Sequence, residues 1–270
     1  MSYHIVVCGG IVPDPLQTLE PAPAPAAPSA PTLKNEMMLP AVLDPWAAHA
    51  LYESAHLARK VPGSKVWLVS LGPKAKLQQV MMTVAQRAQF ELVAIDGPSS
   101  GFTDSAGVAA VLAEAVAAIP GLERGRLILA GGWESAARAA GTTMQVVAER
   151  LGVIDQFQGV DELEVLPDGR LRVLERVEGG QHQISVCEGP PVLIGWATGN
   201  LGEPPNNPQV GMQNMRTIMP ALQKARSAAV APGGLSFDSV SLPKQQRQTR
   251  IVKDVPAEVV ANEIVEWMRE

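Results

Sequence analysis

The residues best suited to chemistry in this sequence form a loop that could bind a phosphate. The loop begins at Gly131-Gly132, after a predicted strand, and reaches a predicted helix at Gly141-Thr142-Thr143. Because it is rich in Gly, Ala and Thr, backbone N–H groups and the helix dipole could hold an anion there, and Arg138 could supply a counter-charge. The loop contains neither GxGxxG nor GxxxxGK[ST], so an ordinary connection between a strand and a helix is the alternative.

No residue pattern indicates a catalytic centre or a metal site. GxSxG occurs once, at Gly97–Gly101, but a single match to so short a motif does not by itself indicate a nucleophile. The two cysteines are far apart, and the four histidines have no HxxxH or HxH spacing. Cys8 is more simply a small buried hydrophobic residue than a reactive thiol, and Asp44 is more simply a helix cap than a general base. We therefore predict neither catalytic residues nor metal ligands.

The composition limits the partners and the location of the protein. The chain of 270 residues is 46% hydrophobic and can bury a sizeable core, whereas its net charge of −5 gives no support for nucleic-acid or anionic-membrane binding. Aromatic residues make up only 4%, which argues against a base-stacking platform. Apolar runs are too short for a bilayer span, and no signal peptide is visible. We expect a cytoplasmic protein without membrane insertion.

Strands and helices alternate along most of the chain. The predicted strands are Tyr3–Cys8, Lys65–Leu71, Glu91–Ile95, Arg126–Ala130 and Val192–Ala197. Helices are predicted to begin at Asp44-Pro45, near Leu77, at Thr103 or Asp104, and near Gly141. Such alternation predicts right-handed β-α-β units in a parallel sheet with helices on both faces.

Other segments have a different pattern. Residues 160–188 read as an antiparallel meander with turns at Pro167-Asp168-Gly169 and Glu178-Gly179-Gly180. We predict a helix over residues 212–226, an extended arm over 229–255 and a last helix over 256–269. The Pro/Ala-rich stretch 15–31 favours polyproline II and is interpreted as a surface excursion within the domain, with a plain linker as the alternative.

Several motifs, in chain order, resemble the beta subunit of electron transfer flavoproteins. They are Ile11–Asp14 (like "KQVPD"), Asp44-Pro45-Trp46 (like "NP[FY]"), Val69–Pro73 (like "VSxGP"), Leu127–Gly131 with its loop (like the nucleotide loop), Glu175–Gly180 (like "RExDGG") and Pro190–Leu193 (like "PAV"). The similarity covers roughly the whole chain. The sequence departs from the pattern where Asp44 replaces an asparagine and where Pro208-Gln209-Val210 replaces "PRY".

The resemblance implies a flavodoxin-like (adenine nucleotide alpha hydrolase-like) α/β fold with an antiparallel hairpin extension and a C-terminal arm. It also implies a heterodimer with a homologous alpha subunit that holds most of a redox-active FAD. Ordinary beta subunits bury an AMP, and bifurcating ones carry a second FAD there. Carried over by position, the cofactor-binding residues are Cys8, Asp44, Pro45, Trp46, Ala47, Leu71, Gly131, Arg138, Ala139, Ala140, Gly141 and Thr142. A recognition loop for partner dehydrogenases would run through about residues 200–215.

We therefore expect an electron carrier and not a substrate-transforming enzyme. The chain would be the beta subunit that passes electrons from a dehydrogenase to a downstream acceptor such as a quinone oxidoreductase. Its α/β core would span residues 1–228, and the arm and helix of residues 229–270 would pack on the alpha subunit. The alternative is a stand-alone adenine-nucleotide-binding regulatory or sensor protein of the same class. A nucleotide α-hydrolase would need a phosphate-binding Ser/Gly-rich motif after the first strand, which Gly9–Pro13 does not supply.

Overall fold

The structure, a computed structural model, describes residues 2–22, 31–98, 100–137, 139–231, 234, 238 and 249–269. The chain divides into two units, Met1–Val240 and Ser241–Glu270. Arg138 and most of the predicted arm lie outside the described residues. Within the described residues, no helix has the length and apolar character needed to cross a membrane.

The first unit contains a nine-stranded sheet and a two-stranded sheet. The strands are β1 (His4–Cys8), β2 (Ile11–Pro13), β3 (Ala41–Leu43), β4 (Lys65–Gly72), β5 (Glu91–Asp96), β6 (Leu127–Gly132), β7 (Asp155–Val165), β8 (Leu171–Val177), β9 (Gln181–Cys187), β10 (Val192–Trp196) and β11 (Arg226–Ser227). The helices of this unit are α1 (Pro45–Lys60), α2 (Lys74–Val84), α3 (Ser105–Ala117), α4 (Thr142–Arg150) and α5 (Pro208–Gln223), and the second unit contains α6 (Ala257–Trp267).

The large sheet has the order β11-β5-β4-β1-β6-β10-β7-β8-β9. The strands from β11 to β7 are parallel, and β8 and β9 extend the sheet with antiparallel pairs. The predicted α/β fold with an antiparallel extension is therefore confirmed. Strand β1 lies between β4 and β6, so the next strands of the chain, β4 and β5, lie on one side of it and the later strands β6 and β10 lie on the other. The loops that follow β1 and β6 diverge at this reversal of strand order.

Alternate residues of β1 pack in two different hydrophobic cores. Ile5 and Val7 pack in the cluster that contains α1, α2 and α5, whereas Val6 and Cys8 pack in the cluster that contains α3 and α4. All five residues of β1 are buried, as its continuous apolar run predicts for a strand covered on both faces. Helices thus cover both faces of the sheet.

The predicted helix over residues 212–226 was wrong at both ends. Helix α5 begins at Pro208, because the Asn207 side chain accepts hydrogen bonds from the N–H groups of Gln209 (3.0 Å) and Val210 (3.3 Å). Beyond the helix, Arg226 begins a short strand beside β5. The second half of the predicted recognition loop is therefore helical, and the loop between β10 and α5 spans residues 197–207.

The Pro/Ala-rich stretch leaves and re-enters the same unit at one place. Strand β2 pairs antiparallel with β3, and the Asp14 N–H donates to the Pro40 carbonyl at 2.9 Å. Further out, the Ala22 N–H donates to the Thr32 carbonyl at 2.9 Å. Residues 23–30 lie outside the described part of the chain. These pairs favour the interpretation of a surface excursion over that of a linker.

Candidate functional site

A cleft of about 1000 Å³, counted with the solvent at its mouth, opens beyond the carboxyl ends of β1, β4 and β6. The described residues that line it are Cys8, Gly9, Gly10, Ile11, Val12, Asp44, Ala47, Leu71, Pro98, Ser100, Gly101, Thr103, Ser105, Val108, Leu112, Gly132, Glu134, Ser135, Ala137, Ala140, Gly141, Thr142, Thr143 and Met144. The cleft therefore lies at the reversal of strand order, where α/β sheets bind ligands.

Two glycines allow the β6–α4 loop (residues 133–141) to fold closely at its ends. A Cβ atom on Gly132 would lie 2.5 Å from the Cβ atom of Trp46, so only glycine lets α1 approach here. Gly141 has φ +63°, and a Cβ atom on it would meet the carbonyl oxygen of Trp133. Small residues thus fix both the start of this loop and its entry into α4.

Two helices begin at the cleft, and their first turns differ. The Asp104 carboxylate caps α3 by accepting hydrogen bonds from the N–H groups of Ala106 (2.7 Å) and Gly107 (3.4 Å). Helix α4 begins after Gly141, and no described side chain caps its first turn. Because the N-terminal end of a helix favours negative charge, the start of α4 is suited to an anion.

Asp44 is buried between the start of α1 and the β6–α4 loop, with only 3% of its surface exposed. Its Oδ1 atom accepts a hydrogen bond from the Trp46 N–H at 3.1 Å, and its Oδ2 atom accepts one from the Ala136 N–H at 2.8 Å. Burial raises the pKa of this carboxyl group, and the backbone N–H groups that it binds lower it. The interpretation of Asp44 as a helix cap is confirmed, and its second oxygen reaches across to the loop.

Cys8 lies at the end of β1 with 5% of its surface exposed. Burial raises the pKa of its thiol to about 12, so the thiol is protonated at neutral pH. A protonated, buried thiol packs as a small hydrophobic residue, in agreement with the interpretation from the sequence.

The structure brings many of the predicted cofactor-binding residues together. Those that line the cleft are Cys8, Asp44, Ala47, Leu71, Ala140, Gly141 and Thr142. Pro45, Trp46, Gly131 and Ala139 lie beside the cleft but do not contribute to its lining, and Arg138 lies outside the described residues. The Cβ atom of Trp46 lies close to Gly132, and the side chain of Met144 lies close to Gly131.

The sequence interpretation missed one wall of the cleft. This wall follows β5, which ends at Asp96, and includes Ser100, Thr103 and Ser105. A signal was available, because residues 97–105 are rich in Gly, Ser and Thr and precede a capped helix. The rule that ligands bind beyond the carboxyl ends of parallel strands applies to β5 as it does to β1 and β6.

A second structured loop connects β10 to α5. The side chain of Glu53 on α1 accepts hydrogen bonds from the N–H groups of Asn200 (3.0 Å) and Leu201 (3.1 Å). Arg87 pairs with Glu203 and donates to the Asn206 Oδ1 atom at 2.9 Å. The β10–α5 loop (residues 197–207) is therefore held at residues 200–201 by a side chain from α1, and at residues 203 and 206 by a side chain from the segment after α2.

Comparison with known families identifies this fold. A model of the electron transfer flavoprotein domain matches residues 35–231, which is well over half of the chain. The chain belongs to the electron transfer flavoprotein family. The match spans α1, the β6–α4 loop and the β10–α5 loop, so most of the cleft and of its surroundings lies within the electron transfer flavoprotein domain. A search of curated proteins found no match.

Proposed function

We propose that this chain is the beta-type subunit of a heterodimeric electron transfer flavoprotein. It would carry electrons between a dehydrogenase and a downstream acceptor through an FAD held mainly by a homologous alpha subunit. The observation that carries this proposal is the family match over residues 35–231. The beta assignment is supported by the order of motifs from Ile11–Asp14 to Pro190–Leu193. In this proposal the chain transforms no substrate of its own.

Adenine nucleotide, most simply AMP, is the ligand proposed for the cleft. The N-terminal end of α4 and the Thr143 hydroxyl group would hold the phosphate, and the Thr142 hydroxyl, which donates to the Ser105 Oγ atom at 2.9 Å, would lie beside it. The charged side chains among the described lining residues are those of Asp44 and Glu134, and both are acidic. The phosphate would therefore be bound by backbone N–H and hydroxyl groups. Apolar lining residues such as Leu71 and Leu112 suit the adenine ring.

The chain's part in electron transfer would be positional. Bound FAD supplies the redox chemistry, and the protein supplies placement and electrostatics. We propose that the β10–α5 loop contributes the surface that redox partners contact. Since Glu53 and Arg87 already hold this loop, little conformational entropy would be lost when a partner binds.

One observation favours the second candidate, a stand-alone adenine-nucleotide-binding regulator. Residues of this chain form a cleft at the reversal of strand order, which is the kind of site that a nucleotide-binding regulator would need. Co-expression with a homologous alpha subunit separates the two functions. The beta-subunit proposal expects a colourless chain alone and a yellow heterodimer that releases FAD and AMP on denaturation, identified by mass spectrometry. A colourless monomer that binds ATP tightly and ignores the alpha subunit would favour the regulator.

A charge substitution at the start of α4 tests where the phosphate binds. We expect Thr142→Asp to weaken AMP binding by at least about tenfold, because two unit charges ~5 Å apart near a protein surface repel by about 3 kcal/mol. Aspartate suits the first turn of a helix, so the fold should be retained. Gly141 is a poorer site for this test, because any side chain there meets the Trp133 carbonyl.

The matched control is Gln209→Asp, which adds the same charge to the first turn of α5, away from the cleft lining. Isothermal titration with AMP measures both variants. Equal affinity of Thr142→Asp and the control would place the phosphate elsewhere.

A further inference from the structure

We propose that Asp44 is a positioning residue that fixes the β6–α4 loop over the cleft. The inference rests on the proposed nucleotide function of the cleft, and it concerns how the cleft gets its shape. It assigns the Asp44 side chain a role towards the loop, in addition to its cap on α1.

The hydrogen bonds of Asp44 join three segments that are distant in sequence. Its N–H donates to the Gly10 carbonyl at 2.9 Å, so the loop after β1 is attached to it. Its Oδ1 atom binds the Trp46 N–H within the first turn of α1. Its Oδ2 atom binds the N–H of Ala136, which lies 92 residues further along the chain. One residue therefore connects three walls of the cleft.

Both carboxylate oxygens of Asp44 are occupied by backbone donors in a site that is 97% shielded from solvent. An ionised carboxylate has no hydrogen to donate to a ligand. Asp44 is thus better placed to organise the protein than to contact an adenine ring or a phosphate. An amide at this position could accept with one oxygen only, and its NH₂ group would face a backbone N–H.

The bond to Ala136 lies in the middle of a loop whose two ends are held by other contacts. The Trp133 N–H donates to the Trp196 carbonyl at 3.0 Å, and Gly141 packs on the Trp133 carbonyl. Between these points the Ala139 N–H donates to the Ser135 carbonyl at 2.9 Å, which is a bond within the loop. Asp44 therefore ties the loop's centre to α1 through its side chain.

The centre of this loop also carries a strained backbone conformation. Ala139 has φ +51°, a left-handed conformation that residues with a Cβ atom seldom adopt. Such a conformation persists when the surrounding structure holds it. Since Glu134, Ser135, Ala137 and Ala140 all line the cleft, releasing the loop would change one whole wall.

Substitution by serine separates the two roles of Asp44. Serine is a good helix cap, so Asp44→Ser retains an acceptor for the Trp46 N–H but is too short to reach Ala136 as well. The matched control is Asp104→Ser in the cap of α3, whose described hydrogen bonds stay within its own helix. Hydrogen exchange of the ligand-free full chain, followed by mass spectrometry, compares peptides from residues 133–137 with peptides from β1.

We expect Asp44→Ser to speed exchange at residues 133–137 by about tenfold or more relative to β1, because a charge-assisted hydrogen bond is lost. Asp104→Ser should leave that ratio unchanged. The AMP dissociation constant should rise by about tenfold in Asp44→Ser and by less in the control. If Asp44→Ser does not fold, Asp44→Asn is measured in its place, and faster exchange at Ala136 or Trp46 is expected.

Unchanged exchange of residues 133–137 in Asp44→Ser would overturn the positioning role. Equal acceleration in β1 would also overturn it, since the effect would then be a general loss of stability. If the wild-type chain binds no AMP, the nucleotide part of the proposed function fails, while the exchange ratios still decide the role of Asp44.

Discussion

At the scale of single residues, burial decides how the side chains around the cleft behave. Cys8 and Cys187 are both free and buried, and burial raises the pKa of each thiol, that of Cys8 to about 12. Only the thiolate is a good nucleophile, so the protonated Cys8 thiol is poorly reactive at about pH 8. Neither cysteine is suited to covalent or redox chemistry in the folded chain.

We predict that iodoacetamide at about pH 8 leaves Cys8 and Cys187 unmodified in the native protein. The same reagent should modify both in denaturing guanidinium chloride, where burial no longer holds the thiols protonated. Mass spectrometry of the intact chain counts the added groups, with glutathione in the same buffer as a reactivity standard. Rapid native labelling of Cys8 would show that the end of β1 opens more readily than its burial indicates.

Residue types predict the role of a side chain near its own position in the chain better than they predict its contacts with distant segments. The Asp44-Pro45 pair identified a helix cap correctly, because a cap depends on neighbouring residues. Nothing in the sequence connects Asp44 to Ala136, since that hydrogen bond requires the sheet to bring α1 beside the β6–α4 loop.

At the scale of elements, Glu53 holds the β10–α5 loop through two backbone N–H groups. We predict that Glu53→Ala destabilises the chain by about 1–2 kcal/mol, because two loop donors lose their partner. Glu53→Gln should cost less, since its amide oxygen can accept the same hydrogen bonds and burial already raises the pKa of the native carboxyl group. Urea unfolding measures stability, and hydrogen exchange at residues 199–202 measures the loop.

The two Glu53 variants should rank in the same order in both measurements. Similar losses in Glu53→Ala and Glu53→Gln would mean that the charge of Glu53, and not its acceptor oxygen, holds the loop. A useful reference is Glu258→Ala on α6, because this exposed residue belongs to the second unit.

The boundaries of elements show where sequence patterns succeed. The buried strands β1, β4 and β10 were predicted to within about one residue, because apolar runs bounded by Gly or Pro are strong signals. The start of α5 was missed although Asn207-Pro208 is a cap followed by a first-turn proline. Strand β11 could not be predicted, since two exposed residues become a strand only through their pairing with β5.

At the scale of the molecule, both hydrophobic cores consist of residues between Tyr3 and Val230. We predict that a chain ending at residue 240 melts within about 3 °C of the full chain, because the packing that stabilises the first unit is retained. In the proposed heterodimer this truncated chain should no longer co-purify with the alpha subunit. Calorimetry and affinity purification from co-expressing cells check the two parts.

A chain ending at residue 222 serves as the contrasting control. It lacks β11, and it also lacks the hydrogen bond from the Ala228 N–H to the Asp96 carbonyl at 2.9 Å. It should therefore melt well below the full chain. Undiminished co-purification of the 240-residue chain would show that the alpha subunit binds without the second unit.

The fold class followed from the alternation of strands and helices, and the family from motifs spread along the chain. The position of β1 at the centre of the sheet did not follow from either, because sequence order does not determine which strands become neighbours. That position brings the ends of β1, β4 and β6 together and so creates the cleft. The cleft is a property of topology more than of any local motif.

The antiparallel pair of β2 and β3 has a practical consequence for protein engineering. Its hydrogen bonds close the chain between Pro13 and Ala41, so the length of the segment between them is nearly independent of the rest of the fold. Each doubling of a flexible loop costs only about 0.6 kcal/mol of closure free energy. The segment begins two residues after Val12, which lines the cleft, so a fluorescent reporter inserted near its start could signal ligand binding without altering the sheet.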